Sequence, residues 1–439
     1  MTQIFDILVF NGTVLTMDDR GRIIENGALA IDGDAIADIG PLEKFSNCKT
    51  DKIIDARGGI IMPGLINTHT HASMTCFRGL ADDLDLMTWL KDYIFPAESR
   101  LTYDKVHAGA LLACAEMILS GTTCFSDMYL FEDAVAQAAS LAGVRAVVGE
   151  VLYDFPSPNY GSIDKGFEYT QYLIDKWKGH PIVRIAVEPH SPYLCAPTLL
   201  EKSAEISYRY NIPLIVHLAE TESEVAQLQS RYGKTPVAHL ADIGVLSSRL
   251  VACHCVALND EDIGMLKDHD VKVSHNPESN MKLASGIAPV PKLLDAGVCV
   301  GLGTDGPTSN NNLDMFLEMD IAAKIHKVNG LDPTVMNAQT VLQMATRQAA
   351  RVLGLEKIAG SLEPGKKADV IVIDTRKPHL TPMYNICSHL VYSACGNDVA
   401  ASIINGRVVM EDRKLLTLDV EKIMADVNRI ADEIKNHRG

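Results

Sequence analysis

The chain has no excess of positive charge: 40 Lys and Arg against 56 Asp and Glu give a formal net charge of −16 over 439 residues. Such a balance argues against a nucleic-acid polymer as partner and against an anionic membrane surface, and acidity that keeps the protein soluble accounts for the charge itself. No apolar run approaches the ~20 residues that a membrane-spanning helix needs. The opening residues Met1-Thr2-Gln3-Ile4-Phe5-Asp6 hold no basic stretch followed by an apolar one, so no secretory leader is expected. The ten cysteines form no Cys-X-X-Cys pair and no regular framework. Scattered through apolar runs, as at Cys114, Cys253, Cys255 and Cys299, they read as reduced, buried thiols of a cytoplasmic protein. Cys253-His254-Cys255 could offer thiolates to a metal, but strand alternation would point both sulfurs away from His254. Internal repeats and low-complexity tracts are also missing.

What is present is an ordinary globular composition, 47% hydrophobic and 22% charged, in a chain long enough for one large core and a smaller attached domain. Short strands broken by turn residues fill the first sixty positions, as in Ile7-Leu8-Val9-Phe10 before Asn11-Gly12. The same texture returns at Ala368–Asp374 and Ile403–Val409, which predicts a small β-sandwich domain built from both chain ends, residues 1–60 and 362–415. Between them, strands alternate with helical patterns. Eight strands are expected, at roughly 61–69, 122–128, 145–153, 183–189, 213–218, 250–256, 271–275 and 299–304. This α/β pattern over 61–361 predicts a (β/α)8 TIM barrel in preference to a doubly wound sheet. Residues 416–439 are expected to end the chain as an amphipathic helix, from Val420 to His437. The loop Asp154–Gly161, rich in Pro and aromatic residues, follows a strand and is placed to shape access to the catalytic face.

The run Pro63-Gly64-Leu65-Ile66-Asn67-Thr68-His69-Thr70-His71 carries the strongest chemical signal. Side chains two apart on a strand share a face, so both imidazoles can reach one ion. His190, His217 and Asp305 also stand at or just beyond strand ends, and His254 closes another. In a barrel these positions share the catalytic rim. His69, His71, His217 and Asp305 make an N3O set suited to one zinc ion per subunit, with Fe2+ or another divalent ion as alternatives. Such an ion lowers the pKa of a bound water from ~15.7 toward about 7. Glu220, three residues beyond His217, is placed to move that water's proton to a leaving group. His254 would orient the water, and Asp305 would accept a proton as well as bind the ion. His275 could compete for the metal or contact substrate, although a structural or supporting role is favoured. Strand four has no lysine between Ile182 and His190, which argues against a two-metal site bridged by a modified lysine, although Glu188 leaves room for a second ion.

These motifs, together with Phe77–Leu84, Trp89-Leu90, Glu188–Tyr193, Ser274–Leu283, Gly301–Asp314 and Gly360–Asp369, resemble the amidohydrolase superfamily over nearly the whole chain. Within it, the sequence is similar to the branch that deaminates 5′-methylthioadenosine and S-adenosylhomocysteine. The resemblance implies a mononuclear zinc site at His69, His71, His217 and Asp305, with Glu220, His254 and Asp305 in catalysis. It also implies a small-molecule nucleoside substrate bound by Glu98 at the ribose and by His190, Glu220, Asp305 and Ser309, in a homo-oligomer. Hydrolytic deamination of an adenine nucleoside is the expected activity. Another nitrogen heterocycle, such as guanine, a triazine or aminodeoxyfutalosine, is the alternative, and an inert metal-binding scaffold is the rival of another class. One departure bears on substrate choice. Where the branch has an arginine near the end of strand three, this chain reads Val148-Gly149-Glu150-Val151-Leu152-Tyr153.

Overall fold

A computed structural model of the chain describes residues 3–84 and 88–436; Met1, Thr2 and the His437 end of the anticipated helix lie outside them. Eight parallel strands form the barrel. In chain order they are Leu65–Thr70, Thr122–Tyr129, Arg145–Leu152, a fourth in two pieces (Val183–Ile185 and Glu188–Pro189), Leu214–Leu218, Leu250–His254, Lys272–His275 and Cys299–Leu302. Their side chains are buried on both faces almost throughout, as a sheet covered by helices requires. Strands one to four share one ladder and strands five to eight another.

Two seams close the cylinder. Between strands four and five, Val187 N donates to Pro213 O (2.9 Å) and Ile215 N to Val187 O (3.0 Å). Between eight and one, Asp305 N donates to His69 O at 3.0 Å and Thr68 Oγ1 to Leu302 O at 2.9 Å. Asn67 bridges the same seam, its Nδ2 donating to Thr304 Oγ1 (2.7 Å) and its Oδ1 accepting from Thr304 N (3.0 Å).

Two strands differ from expectation. The run over 61–69 is split: Ile60–Pro63 pairs antiparallel with Val370–Ile373 in the small sheet, and the barrel begins at Leu65. Gly64 marks the break, because a Cβ there would stand 2.0 Å from Thr123 Oγ1. Strand four is interrupted at Ala186-Val187, where hydrogen bonding passes from strand three (Ala186 N to Val148 O, 2.9 Å) to strand five.

The small domain is a nine-stranded sheet, with five strands between Ile4 and Pro63 and four between Val370 and Leu415. Alternation sorts its faces. Ile61, Val370, Val372 and Ile403 share a core with Val9, Val14, Leu29 and Ile31, whereas Met62, Ile371, Ile373 and Ile404 join the barrel core. A buried ion pair pins the two units, with Arg145 Nε 2.7 Å from Asp369 Oδ2 and Nη2 3.1 Å from Oδ1. The helix Val420–Asn436 packs on the helix Tyr103–Leu119 and buries Val427, Ile430 and Ile434, a three-four spacing. Among the described residues, no helix is long and apolar enough to cross a membrane.

Candidate active site

At the carboxyl ends of the strands, polar side chains replace the apolar interior. His69 lies near the end of strand one and His71 just past it, with ring centroids 4.9 Å apart. The His69 ring lies 4.9 Å from that of His217 and 5.6 Å from that of His254. Asp305, just past strand eight, sets Oδ1 3.1 Å from His71 Nε2 and 3.5 Å from His69 Nε2. Two triads, His69–His71–Asp305 and His69–His217–His254, each hold their donor atoms within 4.8 Å of one another. Glu220 Oε2 stands 4.0 Å from His254 Nε2. Residues spread over more than 230 positions therefore meet at one place, as the strand-end reading expected. Glu188, Cys253 and Cys255 join neither triad.

The backbone and neighbouring side chains aim these groups. His71 Nδ1 faces Met128 O, His217 Nδ1 is 2.8 Å from His190 O, and His254 Nδ1 is 2.9 Å from Asn280 Oδ1. Each partner is an acceptor, so each Nδ1 carries a proton, and Nε2 is the atom left to offer a lone pair to a cation at the centre. Asp305 adopts a left-handed φ of 58°, a costly conformation for a residue with a Cβ. Its Oδ2 accepts from Ser279 Oγ (2.6 Å) and Ser309 Oγ (2.7 Å), which leaves Oδ1 to the histidines.

The electrostatics suit a cation. Burial lowers the His69 pKa to about 4, and Nε2 of this buried ring has no hydrogen-bond partner. Burial also pulls His217 well below its ordinary value. His71 goes the other way, to about 9: burial opposes its charge, but hydrogen bonding and attraction to Asp305 outweigh it. Imidazoles held neutral at His69 and His217, the His71 ring beside a fixed carboxylate, and an orphaned ring nitrogen form a donor set that fits zinc. Burial raises Glu220 above the usual carboxylate range, so the group can keep a proton.

A cavity lies over this cluster, about 870 Å³ when the open solvent at its mouth is counted. Glu98, His190 and Ser309 line it, together with His71, His217, Glu220, His254 and Asp305. Glu98 Oε1 accepts from Tyr129 OH at 2.8 Å, and burial lifts its pKa to about 7 against the pull of that hydroxyl. His190 Nδ1 lies 3.0 Å from Ser191 Oγ. The rest of the wall is mainly apolar and aromatic, including Met74, Phe95, Leu130, Val151, Tyr153, Phe155 and Leu194. Phe155, from the loop after strand three, stacks on Tyr153 (centroids 3.8 Å apart) and approaches Phe95 (6.3 Å). Among the described residues, no Arg or Lys lines the cavity.

Ser279, Asn280 and Tyr129 emerge only from the structure, although the first two stand in a motif that the sequence singled out. Their importance depends on how the short helix Pro277–Lys282 and strand two are set against the site. Beneath the rim lie Asp127, Glu132, Glu150 and Glu188, all fully buried acids. Gly149 makes room for Glu188, since a Cβ there would sit 2.6 Å from Glu188 Cγ. His275 Nε2 lies 3.1 Å from His326 Nε2, and His275 is absent from both triads.

A barrel whose rim gathers imidazoles, a carboxylate and an adjacent acid has the architecture of a metal-assisted hydrolase. The chain belongs to the amidohydrolase family, whose model matches residues 60–409. It is 58% identical over 431 residues to a 5-methylthioadenosine/S-adenosylhomocysteine deaminase of Syntrophobacter fumaroxidans, with 98% of each chain covered. It is 48% identical over 431 residues to a 5′-deoxyadenosine deaminase of Methanosarcina barkeri, again with 98% of each chain covered. Among solved structures, a zinc-bound adenosine deaminase from Xanthomonas campestris is 35% identical, with a TM-score of 0.97 over 99% of this chain and 100% of that one.

Proposed function

We propose that this protein deaminates an adenine nucleoside hydrolytically, giving the inosine form and ammonia, with one zinc ion held by His69, His71, His217 and Asp305. The observation that carries this reading is the meeting of Glu220 and His254 with that donor set on the floor of a cavity that Glu98 also lines. When bound, the ion supplies Lewis acidity and activates water near neutral pH. Glu220 delivers a proton to the ring nitrogen beside the carbon that bears the amino group. His254, fixed by Asn280, orients the attacking water through Nε2. Asp305 accepts a proton from that water and returns it to the amino group, which departs as ammonia, while Glu220 regains a proton from the new hydroxyl as the carbonyl forms. Glu98 accepts both hydrogen bonds of the ribose diol, for which a carboxylate is well shaped. His190 and Ser309 complete the wall around the nucleoside.

The 5′ substituent is small and apolar in this reading. Phe95 lies one helical turn before Glu98, and Tyr153 and Phe155 stack beside it, so the wall near the ribose is aromatic. A homocysteine tail carries a carboxylate that would need a cation there. 5′-Deoxyadenosine and 5′-methylthioadenosine therefore rank above S-adenosylhomocysteine. Ten free thiols support a reducing, cytoplasmic setting.

The test is ammonia release by zinc-loaded protein on adenosine, 5′-deoxyadenosine, methylthioadenosine, S-adenosylhomocysteine and guanine. Nucleosides with small 5′ groups should lead, and Glu98→Ala should raise their KM at least about tenfold through loss of two hydrogen bonds to a charged group. Guanine as the best substrate, or an alanine variant with unchanged kcat/KM on nucleosides, would sink the assignment.

A further inference from the structure

We propose that His379, Cys395 and Asp398 form a second divalent-metal site, of the kind zinc occupies, separate from the catalytic donors. None of the three lines the catalytic cavity. His379 Nε2 is 2.9 Å from Asp398 Oδ2, Cys395 Sγ is 3.5 Å from the same oxygen, and all three donor atoms lie within 4.8 Å of one another. Zinc bonds of ~2.0–2.3 Å in a tetrahedron put neighbouring donor atoms about 3.3–3.7 Å apart. The catalytic donors stand at comparable separations, 3.1 and 3.5 Å, in this structure, so a small outward shift would admit an ion at either cluster. Nitrogen, sulfur and oxygen together suit zinc better than magnesium or calcium, which favour oxygen alone.

The backbone presets this geometry. Cys395 N donates to Asp398 Oδ2 (3.0 Å), and Asp398 N returns to Cys395 O (2.9 Å). Asp374 N caps Asp398 O at 2.8 Å. The Asp398 side chain is only 2% exposed, which holds it in place, whereas that of His379 is 45% exposed, which leaves a path for entry and a face for a water ligand. A simple ion pair accounts for His379 and Asp398. The Cys395 thiol donates to the same oxygen, so nitrogen, sulfur and oxygen donors converge on one point.

The site has a structural consequence. Residues 374–398 leave the small sheet after Val370–Ile373 and rejoin it at Val399–Ile404, carrying the helix Ile386–Tyr392 between. His379 stands near the start of this excursion, with Cys395 and Asp398 at its end. One ion would clasp both ends of the segment, and the cost of ordering it would fall accordingly.

Cobalt loading tests this directly, because the catalytic donor set contains no sulfur. A near-ultraviolet thiolate-to-cobalt charge-transfer band can arise only where a cysteine is a ligand. We expect two equivalents of Co2+ to bind the full chain and the band to saturate with one of them. Cys395→Ser should lose the band and one equivalent while keeping ammonia release, and His379→Ala should weaken the same equivalent. A single equivalent without the band overturns the proposal, as do two equivalents without it or a band that survives in Cys395→Ser. None of these readouts depends on which nucleoside the enzyme takes.

Discussion

Glu188 carries a carboxyl into the barrel interior with no hydrogen-bond partner for either oxygen. Burial first, then the Asp127 and Glu150 carboxyls, push its pKa well above the ordinary value. The side chain is therefore neutral in the folded protein but ionises near pH ~4.3 once the chain unfolds. Unfolding releases a proton above that pH. The contribution to stability is thus full below about 4.3 and declines as pH rises toward the folded value, by up to about 1.4 kcal/mol per unit. Glu188→Gln keeps the shape and removes the titration. Urea denaturation should show the variant losing less stability than the parent between mildly acidic and mildly alkaline pH; parallel losses would refute the assignment. His69 acts in the opposite sense, because burial lowers it to about 4 and stability is lost as pH falls from ~6.5 to that value.

The exit of strand eight is the most constrained element. A Cβ on Gly303 would lie 2.6 Å from Asn276 Oδ1 and 2.8 Å from His69 N, with Asp305 only two residues ahead. Gly303→Ala must push strands one and eight apart and move Asp305 away from the histidines. Metal analysis of the purified variant should find less than half the zinc of the parent, and full occupancy would show that the seam yields more than its packing suggests. His69, His71, His217, His254 and Asp305 were legible in the sequence because each ends or follows an apolar run, and the barrel rule then puts them on one rim. The break at Gly64 was not, since it is imposed by Thr123, nearly sixty residues away. Nor were Ser279 and Asn280, whose hydroxyl and amide matter only because a six-residue helix docks beside strand eight. Periodicity reports which face is buried and is silent on what that face touches.

For the whole molecule, Arg145 and Asp369 decide how barrel and small sheet stay together. Both side chains are 3% exposed, and Asp369 Oδ1 also accepts from Asn405 N at 2.7 Å. Removing one partner leaves a buried, unpaired charge, so Arg145→Ala should cost about 3–5 kcal/mol in chemical denaturation. Combining Arg145→Met with Asp369→Leu would cost less, because no lone charge remains. A loss below ~1 kcal/mol for the single variant would show that water reaches the pair. The seam between strands eight and one carries a last consequence. Asp305 both faces the histidines and donates its amide to His69 O, and Thr304 is stitched to Asn67 beside it. Chelation should therefore unfasten a stave of the cask as well as silence turnover. The amides of Thr304 and Asp305 would then trade their hydrogens for deuterium sooner, and unchanged exchange there would show that the cask keeps its hoop without the ion.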